Sequence, residues 1–109
     1  MSFNRTTIAY ENLYAEEFQD KLQEMPDAIL LDVRTPEEFE SGRIPRSINI
    51  NLMDVTFISQ VAALDKSKPY FIYCRSGARS GQACSLMANQ GFEVFNLAGG
   101  IIGWSGEIC

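Results

Sequence analysis

Short apolar runs separated by helix-like segments constrain the fold of this chain more than any other feature. Residues 28–33 form one nearly continuous apolar run, and residues 69–73 form a second that leads directly into Cys74. Runs of this length are typical of strands that are covered on both faces in a parallel sheet. Residues 47–50 and 94–97 predict two further strands.

Amphipathic segments fill the spaces between these runs. Apolar residues at helical spacing predict one helix before the Pro26-Asp27 turn, a second before the 69–73 run, and a third that ends near Gly91. Their faces consist of Leu13, Tyr14, Phe18, Leu22 and Met25; Val55, Ile58, Val61 and Leu64; and Ala83, Leu86, Met87 and Gln90. Strands separated by such helices indicate an α/β fold, a mostly parallel sheet and a ligand site at the carboxyl ends of the strands.

A short helix is predicted directly after the first apolar run. Thr35 can serve as its N-cap, Pro36 as its first helical residue and Glu38 as the reciprocal partner of Thr35, which together make a capping box. Gly42 is expected to end this helix.

Length and charge limit the classes of function. At 109 residues the chain can bury one hydrophobic core, so any active site must lie within one domain. A net charge of −5 argues against a broad surface for nucleic acid or for an anionic membrane. No apolar run approaches the roughly 20 residues that span a bilayer, and the first ten residues lack the apolar core of a signal peptide. We therefore expect a cytoplasmic location.

The cysteine and histidine counts are more specific. Cys74, Cys84 and Cys109 are odd in number, and their spacing fits neither a disulfide framework nor a zinc site, so free thiols are expected. The chain has no histidine, which excludes Ser-His-Asp triads, Cys-His proteases and imidazole metal sites. A nucleophile in this chain must be activated in another way.

Residues 74–80 form a candidate nucleophile loop between a buried strand and a helix. In such a loop several backbone N–H groups can point at the Cys74 sulfur. A helix N-terminus and neighbouring arginines lower a thiol pKa from about 8.5 to roughly 3.5–7.5, so Arg75 and Arg79 favour a thiolate. Gly77 is expected to adopt positive φ. The competing interpretation, a buried core thiol beside solvated arginines, fits this cationic segment less well.

The sequence resembles the single-domain rhodanese family in three blocks that occur in the family's order. Together they span about residues 6 to 105, within a single predicted domain of residues 6–109. The blocks are the loop Cys74-Arg75-Ser76-Gly77-Ala78-Arg79; an upstream signature of Leu31 to Phe39, Gly42 to Pro45 and Ile48-Asn49; and a closing segment from Asn96 to Trp104. One departure is Arg43-Ile44-Pro45-Arg46-Ser47, where family members often have His-Ile-Pro-Gly-Ala.

This resemblance implies a small, mostly parallel five-stranded sheet flanked by helices. It implies a thiosulfate sulfurtransferase in which Cys74 takes sulfane sulfur from thiosulfate or a related persulfide donor, becomes a persulfide, and passes the sulfur to cyanide or a thiol. A thioredoxin-like protein or another sulfur-carrier protein would suit as the thiol acceptor, and no metal or organic cofactor is implied. The residues carried over as substrate-binding are Arg75, Ser76, Gly77, Ala78 and Arg79.

Two alternative functions stay open. A rhodanese module without catalysis could bind a partner, although modules of that kind typically lack the cysteine. A cysteine-dependent phosphatase or arsenate reductase would use a similar loop. Resemblance to those phosphatases would imply five residues between the cysteine and the arginine of the loop, whereas this chain has four, from Arg75 to Ala78.

Other residues have structural interpretations. Asp32 and Arg34 are expected to form a charged pair that supports the loops beside the capped helix. Phe95 and Trp104 are expected in the core, and Cys84 is expected to be a small core residue. Cys109, at the terminus, is assigned no role.

Overall fold

Five parallel strands form the centre of the protein. The computed structural model describes residues 10–109, so residues 6–9 of the predicted domain lie outside the described residues. The strands are Glu11–Leu13 (β1), Ile29–Asp32 (β2), Ile48–Asn49 (β3), Tyr70–Tyr73 (β4) and Val94–Leu97 (β5). Their order across the sheet is β1-β5-β4-β2-β3, and every neighbouring pair is parallel. The predicted α/β fold with a five-stranded sheet is therefore confirmed.

Within residues 10–109, four α-helices and one 3₁₀ turn connect and cover the strands. They are Ala15–Glu24 (α1), Pro36–Ser41 (α2), Phe57–Ala62 (α3), Ala78–Asn89 (α4) and the 3₁₀ turn Ile101–Gly103. The capping box of α2 is confirmed in both directions between Thr35 and Glu38, and Gly42 ends the helix as predicted. None of the helices within residues 10–109 combines the length and the apolar character that a bilayer span requires.

Side chains point alternately to the two faces of the sheet along each strand, so the hydrophobic core is divided into two clusters, one on each face. On β4, Tyr70 and Ile72 belong to one buried cluster, and Phe71 and Tyr73 belong to the other. The first cluster includes buried residues of α3 and α4, whereas the second is covered by α1 through the fully buried Phe18. Residues buried on alternate sides of a strand require helices on both faces, which explains the continuous apolar runs in the sequence.

The first predicted helix was extended too far toward the N-terminus. Leu13, which was assigned to that helix, lies on β1 and pairs with Leu97 of β5. The helix itself begins at Ala15. A three-residue edge strand is too short to show a period of two, so its apolar residue merged with the helical pattern that follows.

The second predicted helical face was wrong at its beginning. Val55 is 98% exposed and precedes α3, in which Phe57 and Val61 are the buried residues. The Asp54 side chain accepts hydrogen bonds from the backbone N–H and the hydroxyl of Thr56, at 2.8 and 2.7 Å. This Asx turn directs Val55 into solvent, and the helix starts only after it.

Candidate active site

Cys74 lies where the central strand β4 ends, at the carboxyl edge of the sheet. β4 is flanked by β2 and β5, so the loop that follows it is surrounded by the ends of two other strands. The loop of residues 74–77 turns immediately into α4, which has Gly77 as its N-cap. Cys74 is 1% exposed, while Arg75, Ser76 and Ala78 face solvent. The predicted order of strand, cysteine loop and helix is confirmed.

The Cys74 sulfur is held by hydrogen-bond donors from its own loop and helix. The Gly77 backbone N–H donates to Sγ at 3.1 Å, and the Ser80 hydroxyl donates at 3.4 Å. Burial alone would raise the pKa of the Cys74 thiol, but the Ser80 hydroxyl and the N–H groups of Ser80, Gly77 and Ser76 outweigh burial and lower it. Donors directed at sulfur stabilise the thiolate relative to the thiol, and none of these donors is a histidine.

The positive φ predicted for Gly77 is confirmed, at 103°. A Cβ at this position would lie 2.1 Å from the Ala98 carbonyl oxygen. Both the backbone conformation and the contact therefore require glycine where the N–H turns toward the sulfur.

The segment after β5 clamps the outside of the loop. Ile101 N–H donates to the Cys74 carbonyl at 2.9 Å, and Ile102 N–H donates to the Arg75 carbonyl at 3.2 Å. A Cβ on Gly100, which has φ 66°, would lie 2.1 Å from the same Arg75 oxygen. The closing segment thus fixes the backbone of the cysteine loop by direct contact.

The two loop arginines have different surroundings. Arg79 donates from both of its terminal nitrogens to Glu38 of α2, at 2.8 and 2.9 Å, in a bidentate ion pair. Arg75 is exposed and forms no ion pair with any residue between 10 and 109. Arg75 is therefore the loop cation that is available to an anion from solvent, while the charge of Arg79 is balanced within the protein.

Asp32 and Arg34 form a buried ion pair at the end of β2. Arg34 Nη2 lies 2.6 Å from Asp32 Oδ2, and the same nitrogen donates to the Gly42 carbonyl at 2.7 Å. The Asn49 side chain donates to the backbone carbonyls of both residues at 2.9 Å. Within residues 10–109, no hydrogen bond of the Asp32 side chain reaches the cysteine loop. The pair lies in the segment that leads into α2, and its support of the loops beside this helix stays a prediction.

The other two cysteines differ sharply from Cys74. Cys84 is fully buried in the core as expected, and burial raises the pKa of its thiol. Cys109 is exposed, and its backbone exchanges two hydrogen bonds with Arg43 at 3.1 and 2.8 Å.

The two arginines of the segment that departs from the family pattern lie apart from each other in their contacts. The Arg43 guanidinium stacks over the Phe39 ring at 4.5 Å, and Arg46 lines a groove of about 610 Å³ beside α1. Of the two aromatic residues expected in the core, Phe95 is buried as predicted. Trp104 is only half-buried and packs against the second core cluster, which α1 covers.

Sequence reasoning missed two contributors to the site. The sequence places Ser80 at the end of the loop, whereas in the structure its hydroxyl reaches the sulfur from the first turn of α4. The sequence predicts only a capping role for Glu38, whereas its carboxylate also binds Arg79. A small hydroxyl residue six positions after the cysteine was a signal for the first. The second depends on β2 and β4 being neighbours, which the sequence pattern does not specify.

This geometry defines a class of protein: a small α/β domain that holds one cysteine sulfur in a tight loop, where a backbone N–H and a serine hydroxyl donate to it. Residues 14–107 match the rhodanese-like domain, so the chain belongs to the rhodanese family. It is 38% identical over 92 residues to a sulfurtransferase of Allochromatium vinosum, covering 84% of each protein. It is 37% identical over 89 residues to YtwF of Bacillus subtilis, covering 82% of this chain and 84% of that protein.

A solved structure gives the same result. A rhodanese-related protein from Thermoplasma volcanium superposes with a TM-score of 0.80 at 26% identity, covering 92% of this chain and 98% of that one. The resemblance to the rhodanese family is therefore confirmed. Membership of this family and the similarity to a protein named as a sulfurtransferase support sulfur transfer as the general chemistry.

Proposed function

We propose that this chain moves sulfane sulfur from thiosulfate or a related persulfide donor to a thiol or to cyanide through a persulfide on Cys74. The observation that carries the proposal is the pair of hydrogen bonds from Gly77 N–H and the Ser80 hydroxyl to the Cys74 sulfur. They stabilise the thiolate before reaction and can equally stabilise the anionic outer sulfur of a persulfide.

The proposed first step is an attack by the Cys74 thiolate on the outer sulfur of thiosulfate. A new bond forms between Cys74 Sγ and that sulfur, the bond between the two thiosulfate sulfurs breaks, and sulfite leaves with its electron pair. In the second step an acceptor thiolate attacks the outer sulfur of the persulfide and regenerates the Cys74 thiolate. No proton transfer by histidine is needed, which fits a chain without that residue.

The exposed residues of the loop support an anionic donor. Arg75 directly follows Cys74, is exposed and forms no ion pair within residues 10–109, so it is the residue we assign to the sulfonate of thiosulfate. Arg79 is already bound to Glu38, and we assign it to holding the loop and adding positive potential rather than to direct capture of the donor. Ser76, Gly77 and Ala78 complete the substrate-binding loop.

A thiol acceptor reaches the same exposed loop. Its source in this proposal is a small thiol or a thioredoxin-like or other sulfur-carrier protein, and we place the reaction in the cytoplasm, where thiols are kept reduced. Because only the outer sulfur of a persulfide needs to meet the acceptor, the buried position of Cys74 is compatible with either kind of thiol.

Intact mass spectrometry of the purified protein tests this function. We expect thiosulfate to add one sulfur, about 32 Da, to wild-type protein and to Cys109→Ser, and cyanide or dithiothreitol to remove it. Cys74→Ser should gain no sulfur although it keeps both other thiols. No adduct from thiosulfate, polysulfide or glutathione persulfide would overturn the proposal and favour partner binding or oxyanion chemistry.

A further inference from the structure

Asn96 on β5 is a buried polar residue for which the sequence predicts no role. It is 3% exposed, and its side-chain nitrogen donates to the Asn12 Oδ1 at 2.9 Å and to the Gly77 carbonyl at 3.3 Å. Gly77 is the residue whose N–H donates to the Cys74 sulfur. Asn96 is thus joined to the candidate nucleophile through a single intervening residue.

We propose that Asn96 is a positioning residue that holds Gly77 in the conformation that directs its N–H at the Cys74 sulfur. The inference rests on the proposed role of Cys74 as the nucleophile. It adds a side chain of the neighbouring strand β5 to the contacts that the closing segment and Glu38 make with the loop and the first turn of α4.

The orientation of the Asn96 amide is determined by its partners. The Gly77 carbonyl can only accept, so the side-chain nitrogen of Asn96 must face it. Asn12, paired in register with Asn96 across β1 and β5, uses the second hydrogen of the same nitrogen. Both N–H groups of the Asn96 side chain are therefore used, one in a hydrogen bond to the edge strand β1 and the other in a hydrogen bond to the cysteine loop.

The other end of this side chain is left unsatisfied. Asn96 Oδ1 is buried and accepts no hydrogen bond within residues 10–109. A buried acceptor without a partner is unfavourable, and it calls for an explanation where it occurs. An apolar residue of the same size would avoid this cost, so the two hydrogen bonds of the nitrogen, to Asn12 and to Gly77, are the features that favour asparagine here.

Gly77 needs support from outside its own turn. Its φ of 103° and its close approach to the Ala98 backbone place it against the end of β5. Its carbonyl also accepts the Gly81 N–H of α4 at 3.0 Å, so Gly77 is held between the helix and the strand. Without the Asn96 bond, the peptide group that follows Gly77 has one fixed contact fewer. Rotation about the backbone of Gly77 can then turn the preceding peptide group, whose N–H donates to the sulfur, away from it.

The test compares Asn96→Leu with a matched control, Asn49→Leu. Leucine has as many side-chain heavy atoms as asparagine, so the first variant removes the bonds to Gly77 and to Asn12 together with the unsatisfied Oδ1. Asn49 is half-buried at the end of β3 and, like Asn96, donates from its side chain to the backbone, but the two carbonyls that accept belong to Asp32 and Arg34 rather than to the cysteine loop. Both variants lose backbone bonds, and only one loses a bond to Gly77.

The readout is the pKa of the Cys74 thiol, obtained from the pH dependence of alkylation by iodoacetamide in a Cys109→Ser background. We expect Asn96→Leu to raise this pKa by roughly 0.5–1 unit and to slow alkylation near neutral pH about three- to ten-fold, as a weakened hydrogen bond to a thiolate should. Asn49→Leu should lose thermal stability and keep the wild-type pKa. The other ionisable groups that interact with Cys74, Arg79 and Cys84 on α4, stay unchanged in every variant.

Asn96→Ala provides the same loss of the Gly77 bond if leucine does not fit the site. An unchanged alkylation profile in a folded Asn96 variant would overturn the proposal, because Asn96 would then contribute only to stability. Alkylation requires no sulfur donor, so this result is independent of whether the wild-type protein accepts sulfur from thiosulfate.

Discussion

Arg79 of the cysteine loop and Glu38 of the capping box form a bidentate ion pair, with N–O distances of 2.8 and 2.9 Å. The same Glu38 carboxylate accepts hydrogen bonds from the backbone N–H and the hydroxyl of Thr35, each at 3.1 Å. One side chain therefore closes the N-terminus of α2 and binds the first turn of α4. Through Glu38, the loop after β2 and the loop after β4 are connected at the edge that carries Cys74.

Glu38 should make the stability of the protein depend on acidic pH. Its bonds with Arg79 oppose the effect of burial, and together with Thr35 they lower the pKa of the carboxyl group to about 2. The stabilisation is therefore fully present above the ordinary glutamate pKa and is lost as pH falls from about 4.5 toward 2. We expect Glu38→Gln to lower the free energy of unfolding at pH 7 by about 1–2 kcal/mol, since the pair is partly exposed to solvent.

Urea denaturation at pH 7, 5, 4 and 3 measures this dependence. The difference between wild type and Glu38→Gln should shrink toward the acidic end. Glu37→Gln, an exposed neighbour in the same helical turn, is the control that changes the net charge equally. A constant difference at all four pH values would contradict an ionised Glu38 as the cause.

Ser80 should contribute to thiolate stability through its side chain. Its hydroxyl lies 3.4 Å from the Cys74 sulfur and is fully buried, and it is the largest of the hydrogen-bond contributions that lower the pKa of that thiol. We expect Ser80→Ala to raise the thiol pKa by roughly one unit, because the other donors to sulfur remain.

The pH profile of Cys74 alkylation measures this shift. Ser76→Ala is the matched control, since Ser76 is exposed and acts on the sulfur through its backbone N–H, which alanine retains. Equal profiles for wild type and Ser80→Ala would show that the backbone alone sets the pKa.

The predictable parts of the fold are those that local pattern determines. Tyr70–Tyr73 is buried on both faces and therefore appears in the sequence as an uninterrupted apolar run that leads to Cys74. The capping box of α2 is likewise contained in four consecutive residues, Thr35 to Glu38. In contrast, β1 has two exposed residues out of three, and it is held by pairing with β5 at the other end of the chain.

The site could be predicted only as far as the loop itself. The cysteine, the positive φ of Gly77 and the adjacent helix start follow from residues 74–80. The partner of Arg79 is 41 residues away, and the contact of Asn96 with Gly77 crosses from β5 to the loop after β4. Both depend on which strands are neighbours in the sheet, and a single sequence contains no local signal for strand order.

Tyr73 should stabilise the turn that follows α2. Its hydroxyl accepts the Ile44 N–H at 3.1 Å and lies 3.0 Å from the Ser47 hydroxyl. Tyr73→Phe leaves the Ile44 N–H without its partner in a buried place, so we expect a loss of about 1–3 kcal/mol in the free energy of unfolding. Burial raises the pKa of Tyr73 to about 12, so this effect should stay constant between pH 6 and pH 9.

The free energies of unfolding of Tyr73→Phe and Tyr70→Phe are compared by denaturant unfolding. The Tyr70 hydroxyl donates to the Asp65 carbonyl at 2.7 Å in a part-buried position, where water can replace it. A loss for Tyr70→Phe that equals or exceeds that for Tyr73→Phe would contradict the importance of the buried Ile44 contact.

Gly100 should be required for the shape of the cysteine loop. A Cβ there would lie 2.1 Å from the Arg75 oxygen and 2.5 Å from the Ser76 nitrogen, both backbone atoms that cannot move without displacing the loop. Its φ of 66° adds strain for any other residue.

Gly100→Ala should therefore lower stability by about 1–3 kcal/mol and also slow Cys74 alkylation, because the loop that holds the sulfur must shift. Gly91→Ala separates strain from contact, since Gly91 has φ 93° but a Cβ there would meet no atom within 4 Å. We expect Gly91→Ala to lose stability while Cys74 keeps its wild-type alkylation rate. If both variants left that rate unchanged, the loop would owe its shape to its own backbone and not to the clamp of the closing segment.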